Sequence, residues 1–157
     1  MPLSMSTSSA TFEGEYHFKL DPKCRVSIPA DWCPHPDRVL RLLRSETDGV
    51  KVIKVLTQEE MDRMVEAVEE DDEFTFAQKR SYIGKLYARC LKTSTNKQNK
   101  LLIPQSVIEW PGLSAGADIS LIGRKGYFEL YATKNYLIDD AEDEDTQRMN
   151  EKFGFFG

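Results

Sequence analysis

The stretch "LDPKCRVSIPADW" at residues 20–32 returns in altered form as "TNKQNKLLIPQSVIEW" at 95–110. Placing Asp21 on Asn96 brings Lys23 onto Gln98, Arg25 onto Lys100, Ile28 onto Ile103 and Pro29 onto Pro104. The turn, the cation just after it and the Ile-Pro stop all coincide. Downstream, "LRLLRSETDGVKVIKVL" parallels "ISLIGRKGYFELYAT" as strand, glycine-ended turn and strand, with a small change in spacing. Each unit is too short to bury its own faces. Two copies are therefore expected to pack on each other around a pseudo-twofold axis, which brings both polar turns to one side of the molecule.

The local patterns fill in this outline. Tyr16, Phe18 and Leu20 alternate with His17 and Lys19, the period-2 signature of a half-buried strand. Asp21 and Pro22 break it, so the chain is expected to reverse over residues 21–24, resume extended structure from Arg25 to Ile28 and stop at Pro29. After "CPHP", the runs "RVLRLLRS" and "GVKVIKVL" flank Asp48-Gly49, a hairpin dipeptide. Thr57 and Glu60 have the spacing of a capping box, and Met61, Met64, Val65 and Val68 follow helical periodicity. A second helix is predicted over much of 75–88, with Phe76, Ile83, Leu86 and Tyr87 able to share a face. Strand, polar turn, strand and proline follow in "RCLKTSTNKQNKLLIP", then a short helix in "QSVIEW" and two strands around Lys125-Gly126. The C-terminal segment is expected to start as helix, with Phe153, Phe155 and Phe156 either free or docked on the fold or on a neighbour. The expected fold is α+β and β-rich. Its divisions are a leader at 1–11, a first half plus helix at 12–72, a second half preceded by a helix at 73–137, and an acidic, aromatic tail at 138–157.

The formal net charge of −5 is segregated. From Ala77 to Pro104 the chain carries Lys79, Arg80, Lys85, Arg89, Lys92, Lys97 and Lys100 and no acid, while acid gathers at 69–73 and 139–145. Each acidic run alone fits a solvated helix end or tail. The acid-free stretch is the part suited to a polyanion. No apolar run approaches the roughly 18 residues of a membrane span, and the first residues lack a basic and an apolar signal region. Cys24, Cys33 and Cys90 form no CxxC pair, which fits a reducing compartment, so a cytoplasmic protein is expected.

At "GEYHFKLDPKCRVSIPADW", and in "TNKQNKLLIP" through "GLSAGADISLIGRKGYFELY", the sequence resembles the MraZ family, the double-copy form of the SpoVT/AbrB-like swapped-hairpin DNA-binding fold. The resemblance rests on the family's Gly-Glu-Tyr opening and its Asp-x-Lys-Gly-Arg-x-x-Ile-Pro pattern, and covers about residues 12–136. It implies a double-split β-barrel of two swapped-hairpin halves. It further implies a transcriptional regulator that binds double-stranded DNA at promoter repeats near division and cell-wall genes, as a ring-like homo-oligomer associated with the nucleoid. No cofactor, membrane or small-molecule substrate is implied. The DNA contacts carried over are Lys23 and Arg25 in the first copy and Lys100, with its neighbour Lys97, in the second.

Two departures bear on that reading. The family's glycine is Cys24 in the first copy, and the second turn reads Asn96-Lys97-Gln98-Asn99-Lys100. If this position needs φ > 0, asparagine tolerates it, whereas Cys24 carries strain of order 1 kcal/mol. Arginine's planar fork can read guanine or clamp phosphate bidentately, while lysine is a compact charge. The first turn is thus expected to read bases and the second mainly to hold phosphate. The competing readings are a pair of exposed, partnerless cations, and a divergent protein-interaction or antitoxin-like module that has lost DNA recognition. Enzyme chemistry is not expected. Cys24 has His17 and two cations nearby but no expected pocket, Cys33 and His35 lack the further ligands of a zinc site, and no phosphate loop, GxSxG or HExxH occurs.

Overall fold

Alternating apolar residues, β-branched runs and short turn signals give eight strands among the described residues. The computed structural model describes residues 11–32, 39–138 and 143–156. The leader up to residue 10, the "CPHP" link with Cys33 and His35, and residues 139–142 of the acidic run lie outside the described residues. In chain order the first half supplies β1 (Glu15–Lys19), β2 (Arg25–Ser27), β3 (Val39–Thr47), β4 (Val50–Leu56) and α1 (Gln58–Glu70). Then come α2 (Phe76–Ala88), β5 (Cys90–Ser94), β6 (Lys100–Leu102), α3 (Gln105–Ile108), β7 (Asp118–Gly123), β8 (Tyr127–Ala132), α4 (Thr133–Ile138) and α5 (Glu144–Phe153). The fold is α+β and strand-rich, and every pairing is antiparallel. Among the described residues no helix is long and apolar enough to cross a membrane.

Six strands form one sheet in the order β1-β7-β8-β4-β3-β5, and β2 pairs with β6 in a separate ribbon. Exchanging β1 with β5, β2 with β6, β3 with β7 and β4 with β8 returns the same order read from the other edge. Each half therefore lends its first strand to the third strand of the other half. The register that sets Asp21 on Asn96 also sets Lys54 on Glu129 and Val26 on Leu101, and each of these pairs lies directly opposite across a strand ladder. The ladder pairs thus sit where the two halves meet their own images.

Packing obeys the same exchange. The main core joins ribbon and sheet through Val26, Leu101, Leu42, Val55, Leu121 and Leu130. On the other face, Leu43, Leu56 and Met61 pack with Tyr127 under α1, while Ile122, Tyr131 and Val52 pack with Tyr136 under α4. The four residues named in each of these satellite clusters correspond under the exchange. Phe12, Trp32 and Phe128 close the core at one side, Trp32 meeting Phe12 edge-on at 5.7 Å and donating its indole N–H to Glu13 O at 2.9 Å.

Local signals acted as expected at several ends. Asp48 and Gly49 both take left-handed φ, 52° and 82°, as the two-residue hairpin requires. Thr57 caps α1 by accepting from Glu60 N–H, but the reciprocal half of the expected capping box is absent: the Glu60 carboxylate turns to Arg63 at 2.8 Å instead. The complete box is at α2, between Thr75 and Gln78. Phe76, read as a member of the packed face of that helix, is 78% exposed, whereas Leu86 of the same face packs with the cluster of Leu43, Leu56 and Met61.

Among the described residues one carboxylate lies buried in the sheet. Glu129 is buried and accepts from Arg124 Nε at 2.7 Å, from the Tyr131 hydroxyl at 3.1 Å and from the Thr47 hydroxyl. Burial works against the Arg124 cation, yet its hydrogen bonds to Glu129 and Tyr131 hold its pKa above the ordinary value. Burial, and then the Glu129 charge, push the Tyr131 hydroxyl up to about 12.

Candidate nucleic-acid interface

Both repeat turns are Asx turns, in which a side-chain oxygen replaces a backbone acceptor. Asp21 Oδ1 accepts from the N–H groups of Lys23 and Arg25 at 2.9 and 2.7 Å. Asn96 Oδ1 accepts from those of Gln98 and Lys100 at 2.8 and 3.0 Å. Behind each lies the same backbone pair: Cys24 N–H to Asp21 O at 2.9 Å, and Asn99 N–H to Asn96 O at 3.0 Å. The tip residues are left-handed, Cys24 at φ 59° and Asn99 at φ 57°. The position usually held by glycine does need positive φ here, so Cys24 carries the expected strain while Asn99 sits in a conformation its side chain favours.

The two turns are tied to each other. Ile28 N–H donates to Asn99 O at 2.9 Å, and Ile103 N–H donates to Cys24 O at 3.2 Å. Between these bonds run β2 and β6, with Arg25 opposite Leu102, Val26 opposite Leu101 and Ser27 opposite Lys100. Alternate strand residues face opposite ways. Because Val26 and Leu101 are fully buried, Arg25, Ser27, Lys100 and Leu102 point outward. Arg25 and Lys100 are then diagonal neighbours, with backbones about 7–8 Å apart, and the exposed Lys23 and Lys97 flank them on the two turns. The ribbon thus presents Arg25 and Lys100 on one outward face, with Lys23 and Lys97 exposed on the turns at its two ends.

Their states differ. Arg25 is not a free cation: its Nε binds Asp21 Oδ2 at 2.8 Å, with the two side chains 31% and 20% exposed. Its two terminal nitrogens make no bond among the described residues, so the fork is aimed by Asp21 and still has donors to offer. Lys23, Lys97 and Lys100 make no ion pair among the described residues. The acid-free stretch is split by the fold, since Lys97 and Lys100 belong to the second turn and β6 while Lys79, Arg80 and Lys85 lie on α2. Sequence reasoning missed the roles of Asp21 and Asn96 as turn anchors and of Leu102 as an exposed apolar residue beside the cations. The signal for the first was present, as an Asp/Asn at the same place in each repeat.

The anchors also differ in charge. The backbone N–H of Arg25, then its side chain and the Lys23 N–H, hold the Asp21 carboxyl below its usual value, against the opposing effect of desolvation. A folded-state value depressed in this way makes the carboxylate stabilising above 3.8, and that contribution is lost as pH falls through the folded value. Protection of the Lys23 and Arg25 amides, read as hydrogen exchange relative to the intrinsic rate at each pH, is therefore expected to fall on acidification below that range, while that of Gln98 and Lys100, anchored by an uncharged amide, does not respond there.

His17, exposed on β1, lies across the strand ladder from the buried Ser120 and is hydrogen-bonded to its hydroxyl at 2.8 Å. Among the described residues no group of three or more His, Cys, Asp or Glu is placed to hold a metal ion.

No family model matches the chain. It is similar to the proteins named Transcriptional regulator MraZ of two Thermus thermophilus strains, each 24% identical over 123 residues, or 78% of this chain and 83% of the relative. It is also 23% identical over 140 residues to the protein of that name in Dictyoglomus thermophilum, covering 89% of this chain and 92% of that one.

Proposed function

Because this chain is a divergent member of the MraZ family, we propose that it is a sequence-selective, DNA-binding transcriptional regulator whose reading surface is the outer face of the β2–β6 ribbon. One observation carries this: the fold brings Arg25 and Lys100, far apart in sequence, onto one outward face flanked by Lys23 and Lys97. The palindromic strand order supports two swapped-hairpin halves, at 12–72 and 73–137, forming a double-split β-barrel. Arg25, pre-aimed by Asp21, is the base-reading group, and the three lysines hold phosphates. Four cations per subunit bind weakly alone. Tight binding then comes from a ring-like homo-oligomer engaging repeated promoter sites near division and cell-wall genes, in the nucleoid of the cytoplasm. The chain is not an enzyme, as the name of its relatives accords with.

The test is affinity for a duplex from upstream of its own gene against an unrelated duplex, over a salt series, with the oligomer intact and dissociated. The expected result is selective binding that falls steeply with salt and is lost on dissociation even with every turn intact. Equal, feeble binding to both duplexes would favour the second reading, a protein-interaction or antitoxin-like module. That reading draws on the strained Cys24, the exposed Leu102 and the open aromatic residues of the helices.

A further inference from the structure

The outward face of the β2–β6 ribbon is built from two ladder pairs, Arg25 opposite Leu102 and Ser27 opposite Lys100. The repeat register sets Arg25 on Lys100 and Ser27 on Leu102, so two identical halves would give this face two identical ends. Its ends differ instead. One carries a guanidinium beside an isobutyl group, the other an ammonium beside a hydroxyl. Leu102 is 52% exposed, whereas the preceding Leu101 is fully buried. Its backbone is held in place, because its carbonyl accepts from Thr93 Oγ1 at 2.9 Å.

The ends also differ in charge. Arg25 is paired with the Asp21 carboxylate at 2.8 Å, which leaves that end close to neutral. Lys100 stands beside the uncharged Asn96, whose side chain accepts from its N–H, and keeps its full positive charge. A near-neutral end gains little from phosphate, and leucine has no donor or acceptor to offer a phosphate oxygen or a polar base edge. The major groove admits a two-stranded β-ribbon, and the apolar group it displays is the thymine C5 methyl. Residues directly opposite on a ladder have Cβ atoms about 4.5–5.5 Å apart, and bases along a strand are about 3.4 Å apart. A base pair met by Arg25 therefore has the one met by Leu102 within two steps of it. At the other end, serine and lysine are both side chains that bind phosphate oxygens.

We infer that Leu102 is a specificity-determining residue, packing on the C5 methyl of a thymine within two base pairs of the guanine that the Arg25 fork reads. The inference rests on the DNA-reading role proposed for the ribbon and deepens it. Arg25 with Leu102 carries the discrimination, and Lys100 with Ser27 grips the backbone.

Uracil differs from thymine only in lacking that methyl, so the test removes the methyl from the DNA and the isobutyl group from the protein in turn. The full-length protein selects its site from a random duplex pool, and the tightest duplex is remade with each thymine position replaced by uracil. Affinities are read by fluorescence anisotropy for wild type, Leu102→Ala and Arg25→Lys. Wild type should lose about 4-fold at one thymine position, within two base pairs of the guanine at which Arg25→Lys no longer discriminates. Leu102→Ala should bind the thymine and uracil duplexes equally, with an unchanged salt slope because no charge has moved. Leu102 lies outside the buried core, so the circular dichroism of this variant and its mass by light scattering should match wild type. A selected site at which no uracil weakens wild type, or a uracil effect that survives in Leu102→Ala, overturns the inference while selective binding keeps the DNA reading. An altered mass for Leu102→Ala overturns it too, and shows Leu102 as a contact between subunits. Failure of wild type to select any sequence overturns both.

Discussion

Replacing Lys23, Lys97 and Lys100 together by glutamine is expected to weaken DNA binding on the order of 100-fold at physiological salt, and to do so equally for cognate and unrelated duplexes. The reason is counterion release. Each phosphate that a lysine no longer neutralises takes about 0.9 off the slope of log affinity against log salt, so removing three cations per subunit is readable as a change of slope as well as of affinity. The thermal midpoint should stay near wild type, since none of the three makes an ion pair among the described residues and none is buried. Arg25→Lys should behave differently. It keeps the charge and hence most of the salt slope, but it loses the planar fork that Asp21 Oδ2 orients at 2.8 Å, so discrimination between duplexes should fall instead. Unchanged slopes in the triple-lysine variant would remove the ribbon face from the DNA reading altogether.

Glu129→Ala should be the most destabilising change in the sheet. The carboxylate accepts from Arg124, Tyr131 and Thr47, and its removal strands a partly enclosed guanidinium and a buried hydroxyl. Breaking a buried pair from one side costs about 3–5 kcal/mol. Arg124 keeps some access to water, with its side chain 38% exposed, which places the expectation near 3 kcal/mol. For a domain of this size that is roughly a 6–12 °C fall in thermal midpoint. Replacing Glu129 and Arg124 together by apolar residues should recover much of the loss, because no charge is then left without its partner. A loss below about 1 kcal/mol for Glu129→Ala would mean that water reaches Arg124 freely.

Much of this fold is legible along the chain because its signals are local. Period-2 alternation marks β1, the Asp48-Gly49 pair marks a hairpin that then forms with both residues left-handed, and the Asp21/Asn96 repeat marks two turns that prove to be the same Asx structure. Where a local signal met a competing partner it misled. Glu60 satisfied the spacing of a capping box and went to Arg63, and Phe76 satisfied the periodicity of a face whose packing falls at Leu86 instead. Arg25, weighed only as a DNA-reading or a partnerless cation, is held by Asp21 at 2.8 Å, a pairing that spacing alone does not announce.

The repeat by itself determined that two like units exist, where each turns, and which cations stand beside those turns. Only the tertiary structure decided that β1 crosses to β7 and β5 to β3, and that β2 meets β6, because strand pairing is a contest among distant segments for the same buried ladder. That pairing sets Lys54 opposite Glu129 and Val26 opposite Leu101. By burying Val26 and Leu101 it also turns Arg25 and Lys100 outward together, a juxtaposition that no stretch of either half contains on its own.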